Sequence, residues 1–216
     1  MSIKILNRLK VNYWICHGTL LGIIRDRSLI PWDNDIDIGM WDNCNKNKLI
    51  NEFKNNGFEI GYEKFSNKSL LVLKRKNFRR VDINFYELSK DKKYCYQRHY
   101  AIKNLMMRLL YVLSISDKYN GNYKFFVRCL SPLKNFFIKA RYFFERKKLF
   151  YKDSGFKTKS KFFKNLLKIN FYRVEINIPK DYKEYFESIY GKNWRVPYKN
   201  YSWQKNPNLS RLENND

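Results

Sequence analysis

The sequence predicts an α+β fold, and three patterns carry that reading. From Asp35 to Met40 apolar and acidic residues alternate, with Ile36 and Ile38 facing one way and Asp35 and Asp37 the other. Between Arg79 and Leu88 the alternation returns, Val81, Ile83 and Phe85 against Asp82 and Asn84. Farther on, Leu133, Phe136, Phe137, Ala140, Phe143 and Phe144 keep the i, i+3, i+4, i+7 spacing of an amphipathic helix. The chain has 216 residues, 44% of them hydrophobic and 18% aromatic, which suits a sizeable core and excludes a disordered polycation.

No internal repeat and no Pro/Gly/Ser-rich linker divides the chain, so one domain is expected over 1–216, in three stretches. The first, 1–100, carries the strand signals. Gly18-Thr19 opens an apolar run, Leu20, Leu21, Ile23 and Ile24, that reads as a short helix. Residues 46–56 read as a helix closed by Gly57, and 58–62, 69–75 and 79–88 as short strands. The second stretch, 101–170, reads as mostly helical and basic. The third, 171–216, is expected to start with a strand over 171–179. A helix from about Tyr182 to Tyr190 follows, stopped by Gly191, and then a loose polar tail after Trp203.

The formal net charge is +24, and it is uneven: residues 101–170 hold 17 Lys and Arg against three acids, a net of +14. Such an excess is either a solvated basic surface or the footprint of a polyanion, namely nucleic acid, an anionic membrane or a phosphorylated substrate. No recognisable RNA-binding module accompanies it, which argues against nucleic acid. Lys4, Arg8 and Lys10 break any signal-like apolar run at the N-terminus, and no segment approaches the roughly 20 apolar residues that cross a bilayer. Cys16, Cys44, Cys95 and Cys129 are scattered with no CxxC, which argues against structural zinc and for reduced thiols. The expected setting is cytoplasmic, with peripheral work at the inner face of the membrane kept open. For the helix over 133–148, docking of its Phe face onto the core is the preferred reading and an anionic membrane the alternative.

The chemistry concentrates at Asp33, Asp35 and Asp37. A strand sends Asp35 and Asp37 to the same face, where two carboxylates repel and shift each other's proton affinity. A shared proton, an intervening Arg or Lys, or a divalent cation can offset that cost. Mg²⁺, a hard oxygen-preferring ion, is the natural choice where the substrate brings phosphate oxygens. Asp82 can add a third carboxylate if its strand lies alongside. Upstream, the Gly18-Thr19 turn offers backbone N–H groups and a hydroxyl at a helix N-terminus, a cradle for phosphate, and Arg25 can add a bidentate contact. Trp14, Trp41 and Tyr62 are candidates for a cation–π box, with core packing preferred. His17 is read as a neutral packed or hydrogen-bonded residue rather than a catalytic acid.

The order of these features resembles the nucleotidyltransferase superfamily. More narrowly, "HGTLLGIIRDRSLIPWDNDIDIGM", "RRVDINFYEL" and "INIPKDYKEYFESIYGKNWRVP" resemble the LicD family of phosphocholine transferases and fukutin-related proteins, with Asn34 where many relatives carry another Asp. The resemblance implies a nucleotidyltransferase-like mixed sheet flanked by helices. It also implies a phosphotransferase that moves a phosphoalcohol (phosphocholine, ribitol phosphate or a relative) from a CDP-activated donor to a hydroxyl of a glycan or lipid-linked glycan, releasing CMP. By the same resemblance Asp35 and Asp37 hold Mg²⁺ or Mn²⁺, with Asp82 as third ligand or general base, and Gly18, Thr19, Arg25 and Asp33 face the substrate. Two other classes compete: a nucleotidyltransferase that uses an NTP to modify a small molecule, protein or RNA, and a non-catalytic binding protein.

Overall fold

The computed structural model describes residues 1–62 and 69–212, and the side chain of Tyr62 lies outside the described residues. The chain begins with α1 (Ser2–Arg8), β1 (Tyr13–Ile15), α2 (His17–Arg25), β2 (Asp35–Trp41) and α3 (Lys46–Asn55). Strands β3 (Glu59–Tyr62), β4 (Leu70–Lys74), β5 (Arg80–Leu88), β6 (Tyr94–Gln97) and β7 (Tyr100–Ile102) follow. Then come α4 (Leu105–Ser114), α5 (Lys124–Cys129), α6 (Lys134–Arg146), β8 (Tyr151–Asp153) and β9 (Phe156–Lys159). The chain continues through α7 (Lys161–Lys164), β10 (Leu166–Phe171), β11 (Val174–Pro179), α8 (Tyr182–Tyr190) and β12 (Ser210–Arg211).

The fold is a mixed α+β arrangement around an eight-stranded sheet. Its path runs β1-β2-β5-β6-β9-β12, and β4 pairs with the first half of β5 and carries β3 beside it. The β2–β5 pair is parallel, with Asp35 opposite Arg80 and Asp37 opposite Asp82; the neighbouring pairs β1–β2, β4–β5 and β5–β6 are antiparallel. In-register residues of a parallel pair point to the same face, so the acidic face of β2 and the acidic face of β5 become one surface. The opposite face enters the core through Ile38, Val81, Ile83 and Phe85, all buried. The described residues form two compact units, 1–99 with 155–212 and 100–154.

Local chemistry explains the helix that follows β2. The Asn45 side chain caps α3 by accepting the Lys48 N–H, Leu49 and Phe53 bury its apolar stripe, and Gly57 ends it at φ +76°. Trp14 is fully buried and stacks on Phe163 at 4.5 Å between ring centroids, with Trp41 edge-on at 5.0 Å. Both tryptophans therefore serve the aromatic core rather than a ligand box.

The structure departs from the sequence expectation in three places. The helices of the 101–170 stretch are α4 to α6, between Leu105 and Arg146, and the short α7; β7, β8, β9 and β10 also fall at least partly in it, and residues 155–170 belong to the core unit. The expected strand over 171–179 forms as β11 but starts only at Val174, because Tyr172 and Arg173 take φ of +46° and +61° and turn the end of β10 back along β11. The segment after Trp203 is not loose through Leu212. Leu209 and Leu212 are buried, Asn206 donates to Ile189 O at 2.6 Å, and β12 pairs with β9.

Candidate active site

Asp35, Asp37 and Asp82 line one cavity of about 720 Å³, together with Asp33 and Arg80. Every residue of its wall belongs to the first unit. Arg80 Nη2 donates to Asp35 Oδ2 and to Asp82 Oδ2, each at 2.7 Å. Of the ways to relieve the acidic cluster, the fold thus uses a bridging arginine for two members. Burial works to lower the Arg80 pKa, but Asp82 and Asp35 outweigh it and the net shift is upward. Asp37 is strongly biased towards its protonated form. Burial comes first, then the charges of Asp35, Asp82 and Asp33, and the hydrogen bond from Asn84 opposes them.

Asp33 sits over the first turn of α2. A Cβ on Gly18 would fall 2.3 Å from Asp33 Oδ2, so only glycine lets the carboxylate approach the helix N-terminus so closely. Burial and then Asp35 push Asp33 up to about 6. The place that sequence reasoning reserved for a phosphate is thus held by a carboxylate of the chain itself. Thr19 has a different partner from the one expected: it is buried, and its hydroxyl accepts the Asp37 backbone N–H at 2.8 Å. It registers α2 against β2 rather than facing the cavity. Arg25 does line the cavity, but its guanidinium forks onto Asp26 with two contacts of 2.7 Å.

A polar chain runs behind Asp37. Asn84 Nδ2 donates to Asp37 Oδ1 at 3.1 Å, and Gln97 Nε2 donates to Asn84 Oδ1 at 2.6 Å. Gln97 therefore turns its Oε1 towards His17 Nε2, 2.9 Å away, which makes that nitrogen the protonated one. The Tyr86 hydroxyl lies 3.0 Å from the same nitrogen. Burial lowers the His17 pKa to about 4, with the Gln97 bond opposing, so the imidazole is neutral. Sequence reasoning had Asn84 on the acidic face of its strand but gave it no role, and it missed Gln97. The only signal for Asn84 was its spacing of two from Asp82; Gln97 had none, because its contact depends on the β5–β6 pairing.

The aromatic part of the wall has no role in the sequence reading, apart from Trp32, which is read with Pro31 as fixing the turn before the aspartates. Trp32, Tyr190, Tyr198, Tyr201 and Trp203 face the cavity, four of them from the C-terminal segment. Among the described residues, no group of three or more His, Cys, Asp and Glu is already arranged to hold a metal ion. By donor chemistry the set still fits: three carboxylates converge from two adjacent strands, and hard oxygen donors suit Mg²⁺ or Mn²⁺.

The family model described as LicD/FKTN/FKRP, nucleotidyltransferase domain, matches residues 10–135. Ribitol-5-phosphate transferase FKTN of Homo sapiens is 22% identical over 209 residues, covering 96% of this chain and 34% of that protein. FKTN of Macaca fascicularis is similar to the same extent, 22% over 209 residues. The uncharacterized protein RP689 of Rickettsia prowazekii is 29% identical over 135 residues, 62% of this chain and 42% of its own length. The chain therefore spans about a third of the length of the FKTN relatives. Among solved structures, the lincosamide antibiotic adenylyltransferase LnuA with lincomycin bound is similar at a TM-score of 0.44 and 14% identity, over 85% of this chain and 77% of that one.

Proposed function

Since the chain belongs to the LicD/FKTN/FKRP nucleotidyltransferase-domain family, we propose that it transfers a phosphoalcohol from a CDP-activated donor to a hydroxyl of a glycan or lipid-linked glycan, with release of CMP. The observation that carries the reading is the register of β2 and β5, which sets Asp35, Asp37 and Asp82 on one face of a cavity large enough for a nucleotide. The four cysteines are free thiols, which supports a reducing, cytoplasmic setting.

In this reading Asp35, Asp37 and Asp82 hold Mg²⁺ or Mn²⁺. When bound, the cation neutralises charge on the diphosphate oxygens as the donor bond breaks. Asp82, opposite Asp37 in the β2–β5 register, is read as the third ligand rather than the general base. Asn84 and Gln97 orient Asp37, and the buried Thr19 hydroxyl fixes its backbone. Gly18 leaves the α2 N-terminus open to an anion once Asp33 gives way, and Arg80 and Arg25 supply positive charge at the same cavity. The aromatic wall offers stacking faces for the base.

The test is CMP release from CDP-choline, CDP-ribitol, CDP-glycerol and CDP-ethanolamine with Mg²⁺ and a mixed glycan acceptor. Metal-dependent release from one donor is expected, with a loss of at least about a thousandfold in Asp35→Ala and Asp37→Ala proteins that keep their folded spectrum. Release of pyrophosphate from an NTP, with every CDP-alcohol inert, would move the assignment to nucleotidyl transfer at the same carboxylates.

A further inference from the structure

The second unit has a surface that the carboxylate site does not explain. Residues 100–154 are about a quarter of the chain, yet they carry 12 of the 22 large apolar side chains exposed among the described residues. Leu105 and Met106 on α4 are 81% and 61% exposed, and Phe125 and Phe126 on α5 are 72% and 69% exposed. On α6, Phe136 and Phe143 are 67% and 49% exposed, and no residue of α5 or α6 is buried. Of the exposed apolar side chains elsewhere, Trp32, Val196, Tyr198 and Tyr201 belong to the cavity wall.

Charge indicates the kind of partner. The same 55 residues contain 12 Lys and Arg against three acids, a net of +9. Two of the acids are matched inside the unit, Asp117 by Lys134 and Glu145 by Arg141. Lys124, Lys139, Arg146, Lys147 and Lys148 are all exposed and interleave with the aromatic residues in sequence. A surface of Phe, Leu and Met alone would suit a second copy of the chain, but two such copies would bring two net charges of +9 together. A polyanion without an apolar phase would leave the phenylalanines in water. Among the described residues no helix is long and apolar enough to cross a membrane, and α4, α5 and α6 have 10, 6 and 13 residues. Short helices with aromatic and basic residues interleaved match the interface of an anionic bilayer, where rings enter the acyl boundary and ammonium groups reach the headgroups.

We propose that the α4–α6 unit is a peripheral membrane-docking surface for bilayers rich in anionic phospholipid. This surface is independent of the carboxylate chemistry, so its test leaves the transferase reading untouched.

The experiment is co-sedimentation of the full chain with vesicles of phosphatidylcholine alone and of equimolar phosphatidylcholine and phosphatidylglycerol. Binding to the anionic vesicles is expected to be tighter by about tenfold or more and to weaken with salt. Phe125→Ser/Phe126→Ser and Phe136→Ser/Phe143→Ser proteins should lose about tenfold in affinity each, with unchanged circular dichroism, since these rings are exposed. An environment-sensitive dye on the exposed Cys129, in a Cys44→Ser background where Cys16 and Cys95 are buried, should shift to the blue on binding. Four results would overturn the proposal: no binding to anionic vesicles, equal binding to neutral ones, binding indifferent to the Phe substitutions, or self-association or RNA binding through the same phenylalanines without lipid binding.

Discussion

Arg80 joins two members of the acidic cluster. It holds Asp35 and Asp82 in one fork, so an Arg80→Gln protein should lose about 1–2 kcal/mol of stability in chelator, modest because the Arg80 side chain is 44% exposed. Mn²⁺ should recover that loss, giving a larger metal-induced rise in Tm than in the wild type. An equal rise in both proteins would mean that guanidinium and cation do not compete for the same oxygens. His17 supports a second prediction, in pH. Its folded pKa of about 4 lies below the ordinary 6.5, so the unfolded chain takes up the proton first as pH falls. The stability associated with His17 is complete above 6.5 and declines towards 4, by roughly 3 kcal/mol in all. Asp33, raised from 3.8 to about 6, acts with the opposite sign between those values, since there the folded state carries the extra proton. Urea unfolding of wild type and His17→Gln from pH 7 to 4 isolates the histidine: the difference between the two curves should shrink as pH falls. A constant difference would mean that His17 titrates alike in both states.

Among the elements, β2 depends on one glycine. Trp14 and Gly39 are cross-strand partners, and the indole lies over the glycine so closely that a Cβ would meet Trp14 Nε1 at 2.2 Å. Gly39→Ala should therefore cost about 3 kcal/mol through overpacking, and Trp14→Phe on that background should return part of it. Thermal melts of the three proteins test the pair. Strictly additive losses would show that the ring and the added methyl do not collide. The same strand shows how far periodicity can be read: alternation separated the carboxylates from Ile36 and Ile38 correctly. The β10–β11 corner shows the opposite. Tyr172 and Arg173 carry none of the Gly or Asn signals of a two-residue hairpin, so nothing local marked the turn.

For the whole molecule, a formal net charge of +24 bears on encounter rather than on fold. The KM for an anionic donor should rise as NaCl is raised from low to physiological concentration, with kcat little changed, because screening weakens attraction before the donor is seated. Initial-rate measurements across a salt series check this, and a salt effect on kcat alone would place the charge sensitivity after binding. The lysine-rich middle of the chain was legible as charge and not as architecture. Its residues 155–170 return to the core unit through β9 and β10, and β9 pairs with β6. Those two strands are some sixty residues apart in sequence, and such pairings leave no local period.

By itself the sequence determined which side chains share a face: Asp35 with Asp37, Asp82 with Asn84, and the helical stripe that Gly191 ends after Tyr190. These follow from backbone geometry over a few residues, where the period of side-chain direction is set by the strand or helix alone. Only the tertiary structure decided that β2 and β5 run parallel in the register that joins Asp37 to Asp82, and that Arg80 spans the carboxylates. It also decided that Gln97 closes the chain to His17, and that the C-terminal segment folds back as an aromatic wall. Each of these is a contact between distant segments, selected by packing and charge compensation in the assembled core, and no short stretch of the chain contains that information.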